Sequence, residues 1–266
     1  MSNIPKRLFL YWGGGRLSYL RYCTIKSFKF FNPDWEILLY TPKKNNKNVI
    51  VWNSGEQSDN YTGRCWLDDA ALLVDDVIIF DMGTLGFSND ISEVHKSDII
   101  RLNLLSSVGG IWSDFDIIYC KKIPDAILEK DFLCFSHELN MYSIGFLGAM
   151  KNSSLYGMLS KSQLDIHNNN SYQIYGHMVF EKHKVEELQR NFNFNNIPME
   201  LVYPYNHKNI NYIFCSPESS LPETTIGIHW YAGSSTTRHW ENVLLPDNIL
   251  EYDNLICNKI SILENK

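Results

Sequence analysis

The chain has 266 residues, 44% of them hydrophobic, enough to bury a substantial core as one domain spanning 1–266. Its 30 acidic against 24 basic residues leave a formal charge of -6, which argues against broad contact with nucleic acid or an anionic membrane surface. Cys23, Cys65, Cys120, Cys134, Cys215 and Cys257 show no CxxC spacing, so they read as reduced small hydrophobes and exclude a zinc ribbon or a disulfide framework.

In chain order, 7–12 predicts a buried strand, too short for a signal-peptide h-region or a membrane span. Residues 17–31 predict a helix with Leu17, Leu20, Ile25, Phe28 and Phe31 along one broad face. Asn32-Pro33-Asp34 ends it, 35–40 predicts the second strand, and 43–47 a polar loop. Strand, helix, strand at this spacing is a βαβ unit, expected with a right-handed crossover. Residues 64–74 read as a helix and 77–81 as an apolar run of ambiguous type. A helix over 93–108 follows, then strands at 132–136 and 144–150 and a helix at 155–166. Residues 167–170 predict a polar turn, 181–190 a helix and 193–196 an Asn-rich loop. No internal repeat and no linker divides the chain.

The densest chemistry lies between His95 and Asp116. Asp98 and Arg101, three apart, share a helix face, and Gly109-Gly110 suits a left-handed helix exit. A buried strand begins at Ile111-Trp112 and presents Asp114 and Asp116, which point the same way because side chains alternate in extended backbone. Paired carboxylates repel unless a hard divalent cation, Mn or Mg, lies between them. An isolated Asp-x-Asp is more often a solvated turn, and Asp98 with Arg101 is by itself an ion pair stabilising by no more than ~0.5 kcal/mol. The specificity lies in the combination. Open α/β sheets bind ligands beyond the carboxyl ends of their strands, where Trp12 and the Asp pair both fall. Gly13-Gly14-Gly15 lets a ligand approach the backbone beside the Trp12 indole; it is neither a P-loop nor a dinucleotide fingerprint.

The run Ser97-Asp98-Ile99-Ile100-Arg101, followed by Gly109-Gly110-Ile111-Trp112-Ser113-Asp114-Phe115-Asp116, resembles the sugar-binding DxD region of family 32 glycosyltransferases and of the related clostridial glucosylating toxins. Ile4-Pro5-Lys6 with Leu8-Phe9-Leu10-Tyr11-Trp12-Gly13-Gly14 is similar to their opening strand, where an aromatic residue packs on the nucleotide base. The resemblance covers 1–125 well and the remainder in patches. It implies a GT-A fold, α/β and Rossmann-like with a mixed central sheet. It also implies a metal-dependent, retaining transfer of a hexose from a nucleotide-diphosphate sugar, UDP favoured over GDP, in glycan biosynthesis.

On this reading Asp116 ligates Mn2+ or Mg2+, and Asp114 joins it or holds ribose or a metal-bound water. Arg101 meets sugar or phosphate oxygens, Asp98 accepts from sugar hydroxyls, and Tyr11, Trp12 and Gly13 receive the nucleotide. The expected catalytic residues are Asp116, Arg101 and Asp98. The stretch Gly227-Ile228-His229-Trp230-Tyr231-Ala232-Gly233-Ser234-Ser235 resembles the closing His-containing motif of these enzymes, which implies a metal or diphosphate role for His229 and a donor contact for Ser234. Two departures stand out: Ser235 replaces a usual tryptophan, and Ile144 a usual asparagine. Golgi-type members carry an N-terminal anchor, so this chain is expected to be a cytoplasmic enzyme of bacterial or viral origin.

Rival readings are a catalytically inert nucleotide-sugar-binding module, a metal-dependent nucleotidyltransferase or phosphohydrolase, and a toxin-like protein glucosyltransferase. The second lacks a third acidic motif for a two-metal site, and the third the expected extra helical regions. The acceptor stays open among glycan, lipid-linked sugar, protein and modified nucleobase, with Tyr175, His177 and the aromatic residues beyond position 200 as candidate pocket residues.

Overall fold

The strand expected near the N-terminus forms as β1 (Arg7–Tyr11), and its alternation decides the layering. Leu8, Leu10 and Trp12 belong to the core on one face of the sheet, together with Ile37, Leu39 and Phe28, whereas Phe9 and Tyr11 belong to the core on the other, with Leu38, Tyr40 and Trp112. The structure is a computed structural model that describes residues 3–13, 15–44, 61–166, 171, 173–206, 208–216 and 219–264. The turn expected at 167–170, Gly14 and positions 45–47 of the polar loop lie outside them.

Helix α1 (Tyr19–Phe31) starts where the Ser18 hydroxyl accepts from the Arg21 N–H, and stops at Asn32, whose amide donates to the Phe28 carbonyl. It leads into β2 (Glu36–Pro42), parallel to β1 in register from Arg7 against Glu36 to Tyr11 against Tyr40. The helix expected over 64–74 shrinks to α2 (Leu67–Ala71). Trp66 offers no side-chain cap, and the chain turns at Leu72 to feed the next strand. The ambiguous apolar run is that strand, β3 (Asp76–Phe80), parallel to β2 at the sheet edge.

Helix α3 (Glu93–Ser107) is capped by the Ser92 hydroxyl on the His95 N–H and leaves through Gly109 and Gly110 at φ 73° and 138°. A Cβ on Gly109 would fall 2.5 Å from the Lys151 backbone nitrogen, so glycine is required there twice over. Strand β4 (Gly110–Ser113) then runs parallel to β1. Strand β5 (Ile117–Tyr119) leaves the main sheet and forms a separate antiparallel ribbon with β9 (Gly227–His229).

Strands β6 (Asp131–Ser136) and β7 (Met141–Ala149) form a hairpin, β7 starting earlier than 144 and lying antiparallel to β4. Helix α4 (Ser154–Leu164) follows. Glu181, expected to open a helix over 181–190, instead ends a separate short one, α5 (His177–Glu181), and the expected helix starts later, as α6 (Val185–Asn191), after Lys184 in extended backbone. The loop expected at 193–196 is instead a strand, β8 (Phe194–Asn196), parallel to β6. Asparagine is no obstacle there, because the Asn196 side chain both accepts from and donates to the Phe135 backbone and so extends the ladder. The order β3-β2-β1-β4-β7-β6-β8 is a seven-stranded mixed sheet. Helices α7 (Tyr212–Cys215), α8 (Trp240–Val243) and α9 (Leu255–Glu264) complete a third core with α1 and the β5–β9 ribbon. Among the described residues no helix is long and apolar enough to cross a membrane, and all six cysteines are free.

Candidate active site

A cavity of about 300 Å3 opens beyond the carboxyl ends of β1 and β4. Tyr11, Trp12, Gly13, Asp98, Arg101, Asp114, Asp116 and His229 all line it, so the two sequence motifs and the C-terminal histidine meet in one place. Ser234 does not line it: Ala232 and Gly233 do, while the Ser234 hydroxyl accepts from the Thr236 N–H in the following turn.

Asp114 is held by α3 and its own strand. Its Oδ1 accepts from Arg101 Nη2 at 2.9 Å and from the Trp112 indole at 2.8 Å, and the Arg101 guanidinium lies 4.9 Å from the Trp112 ring centre. Its Oδ2 faces Gly145, where a Cβ would sit 2.7 Å away. Ile144, at the position of the missing asparagine, contributes its backbone instead: its carbonyl accepts from Arg101 Nη1 at 3.0 Å. Asp98 lies 3.4 Å from Arg101 Nη2 and is 4% exposed; burial, opposed by Arg101 and assisted by Asp114, pushes its carboxyl up to about 7. Gly176 packs so close to that carboxylate that a Cβ would meet it at 2.4 Å, and Gln163 ties the two segments by donating to the Asp98 and Tyr175 carbonyls.

Asp116 behaves oppositely. Burial would raise its carboxyl, but the His229 imidazole, the Arg21 guanidinium and the Ala232 N–H outweigh burial and hold it well below the usual carboxylate range. His229 Nε2 lies 3.0 Å from Asp116 Oδ1, Ala232 N–H donates to Oδ2 at 2.9 Å, and the Trp230 N–H donates to the Asp116 carbonyl. One ligand atom from each of Asp114, Asp116 and His229 lies within 4.8 Å of the others. Two carboxylates and an imidazole, already gathered by the fold, fit a divalent cation such as Mn2+ or Mg2+; the nitrogen ligand suits Mn2+ the better of the two.

At the far end Trp12 is 8% exposed, its indole donating to the Gly15 carbonyl and packing edge-on against Phe115. Beside it the Tyr11 hydroxyl donates to Glu93 at 2.5 Å, and the fully buried Lys96 donates to the other Glu93 oxygen at 2.7 Å. Sequence reasoning missed Glu93, and it missed Arg21 from α1, which also lines the cavity. Neither carries a local signal: Glu93 reads as an ordinary first-turn acid, and Arg21 as an ordinary helix residue. Of the acceptor candidates, His177 lines the cavity, whereas Tyr175 is buried against His95 and Phe87.

The family model described as "Capsular polysaccharide synthesis protein" matches residues 74–233, from the start of β3 past His229. The chain belongs to this family. The matched stretch holds Asp98, Arg101, Asp114, Asp116 and His229, but begins after Trp12. No curated protein matches the chain. Among solved structures, "PaToxG Glycosyltransferase" superposes with a TM-score of 0.51 at 16% identity, over 72% of this chain and 71% of that one. The ligand-free glycosyltransferase domain from the YGT toxin (TM-score 0.38, 12% identity, 73% and 69% covered) and an active-site mutant of LgtC (0.44, 11%, 97% and 95%) are also similar. The mixed seven-stranded sheet and the first of these likenesses establish the GT-A glycosyltransferase fold expected from the sequence.

Proposed function

We propose that the family member described here is a metal-dependent glycosyltransferase that moves a hexose from a nucleotide-diphosphate sugar, UDP favoured over GDP. The observation that carries this reading is the gathering of Asp114, Asp116 and His229 in one cavity with Trp12 at the mouth of a GT-A sheet. Trp12 stacks on the base; Gly13 beside it is not open backbone, because the Glu93 carboxylate and the Tyr11 hydroxyl pack where its Cβ would stand. Asp114, Asp116 and His229 hold a divalent cation, which when bound supplies Lewis-acid neutralisation of the diphosphate leaving group. Arg101, oriented by Asp114 and the Ile144 carbonyl, donates to sugar or phosphate oxygens, and Asp98 binds sugar hydroxyls. With its carboxyl near 7, Asp98 can either donate or accept at neutral pH. The segment from Gly227 to Trp240, which reaches the cavity through His229, Tyr231, Ala232 and Gly233, folds over the diphosphate and excludes water. Retention of anomeric configuration follows from the family 32 resemblance.

The family's description, capsular polysaccharide synthesis, favours a growing glycan as the acceptor over a lipid-linked sugar or a protein. Calorimetric titration of UDP and GDP with and without Mn2+ tests the donor site. Binding of one of them, strengthened by Mn2+ in wild type and not in Asp116→Asn, is expected. Equal affinity with and without the cation would refute the metal assignment.

A further inference from the structure

Two guanidinium groups line the cavity among the described residues, and they are held for different purposes. Arg101 is engaged by Asp114, Asp98 and the Ile144 carbonyl, which makes it part of the acidic wall. Arg21 comes from the first turn of α1 and meets no acid of that wall directly. Its Nε and Nη2 lie 3.0 and 2.8 Å from one oxygen of Glu241, at the start of α8, and both side chains are nearly enclosed at 11% and 7% exposure. Its guanidinium sits 5.0 Å from the Trp12 ring and 5.7 Å from the Trp230 ring. The sequence separation of 220 residues between Arg21 and Glu241 shows that the fold, not the helix, holds this cation in place.

Such a clamp is costly if its purpose is only to fix two elements, because a guanidinium withdrawn from water needs compensation that apolar packing would not. Its position offers another purpose. Arg21 lines the same cavity as Asp114 and Asp116, and both carboxylates act on it electrostatically. It also borders Trp12, the base-stacking candidate. A diphosphate joining a base on Trp12 to a sugar at Asp98 and Arg101 would pass between these two landmarks. Glu241 takes the Nε–Nη2 edge of the planar fork, which directs the guanidinium without covering its Nη1 edge.

We propose that Arg21 is a diphosphate-binding residue of the donor site and that Glu241 is its positioning residue. This rests on the reading of the cavity as a nucleotide-sugar site, and it makes the C-terminal part of the chain, through α8, a component of that site. A fixed guanidinium beside the carboxylate pair adds to the positive charge the diphosphate meets and donates hydrogen bonds to its oxygens without reorganisation.

The test separates phosphate from base recognition. Dissociation constants are measured for UDP and uridine, and for GDP and guanosine, each with Mn2+, by calorimetry and ligand-observed NMR. In Arg21→Met, which fills the slot between the two indoles without charge, affinity for the bound diphosphate should fall about tenfold or more, while that for its nucleoside stays within about twofold. Glu241→Gln should weaken the diphosphate severalfold in the wild-type background and leave it unchanged in the Arg21→Met background, as a residue acting through Arg21 requires, while nucleoside affinity stays unchanged in every variant, which a purely structural clamp would not give. Should Arg21→Met fail to fold, Arg21→Lys keeps the charge and the Glu241 partner but loses the fork, and again only the diphosphate should weaken. Equal losses for diphosphate and nucleoside, or an unchanged diphosphate affinity, would overturn the proposal. A wild-type protein that binds neither diphosphate would remove the reading beneath it as well.

Discussion

Asp98 and Asp116 line one cavity, yet their surroundings drive them in opposite directions. Asp98, pushed up to about 7 by burial, holds a proton in the folded state that the unfolded chain releases near ~3.9. The folded protein therefore loses stability as pH climbs between those values, by at most ~1.4 kcal/mol per pH unit. Asp98→Asn, neutral throughout, should gain stability relative to wild type on going from about pH 5 to about pH 8 in denaturant titrations; a gap independent of pH would contradict the assignment. Asp116 is depressed, so its contribution is present above ~3.9 and is lost as pH falls through its folded value. Asp116→Ala leaves the buried Ala232 N–H without its acceptor, and should cost about 1–3 kcal/mol at neutral pH in addition to any loss of turnover. Trp12 serves core and cavity together. Trp12→Phe, which keeps most of the packing, should weaken nucleotide binding with little thermal shift, whereas a large drop in Tm with unchanged nucleotide affinity would make Trp12 a core residue only.

At the scale of elements, glycines decide where the site can form. Gly109 and Gly157 give opposed expectations. Gly109→Ala places a Cβ against backbone at a left-handed φ, and should cost at least ~2 kcal/mol. Gly157 lies within α4 with nothing near its missing Cβ, and Gly157→Ala should stabilise by about 0.5–1 kcal/mol. Thermal unfolding of the two variants checks both signs. The Gly109-Gly110 exit, α3 and β4 were legible because their signals are local: helical spacing, a glycine pair and an apolar strand. Strand β8 was not, because three residues reading as a polar loop become a strand only when β6 lies beside them and Asn196 completes the ladder. The break between α5 and α6 is equally silent in composition, since neither Lys182 nor Lys184 is a helix breaker.

At the scale of the whole molecule, the site is assembled from three separate cores. The sheet faces supply Trp12, Asp98, Arg101 and Asp114, and the third core, with α1, the β5–β9 ribbon and α8, brings His229, Arg21 and Glu241 to them. The acid pair and His229 were legible through motif resemblance; Arg21 with Glu241 was not, since its meaning depends on contacts across nearly the full chain. If the segment from Gly227 to Trp240 closes over the donor, amide exchange between Trp230 and Thr237 should slow on adding UDP and Mn2+ together, and identical protection in both states would mark it as ordinary packing.

The central claim is a cation-dependent transfer of sugar through Asp116, and the release of free nucleotide from a panel of UDP- and GDP-sugars measures it most directly. With Mn2+ the wild type should release nucleotide from at least one donor, and release should collapse in excess EDTA and in Asp116→Asn. Equal release with and without the cation, or full release by Asp116→Asn, would contradict it.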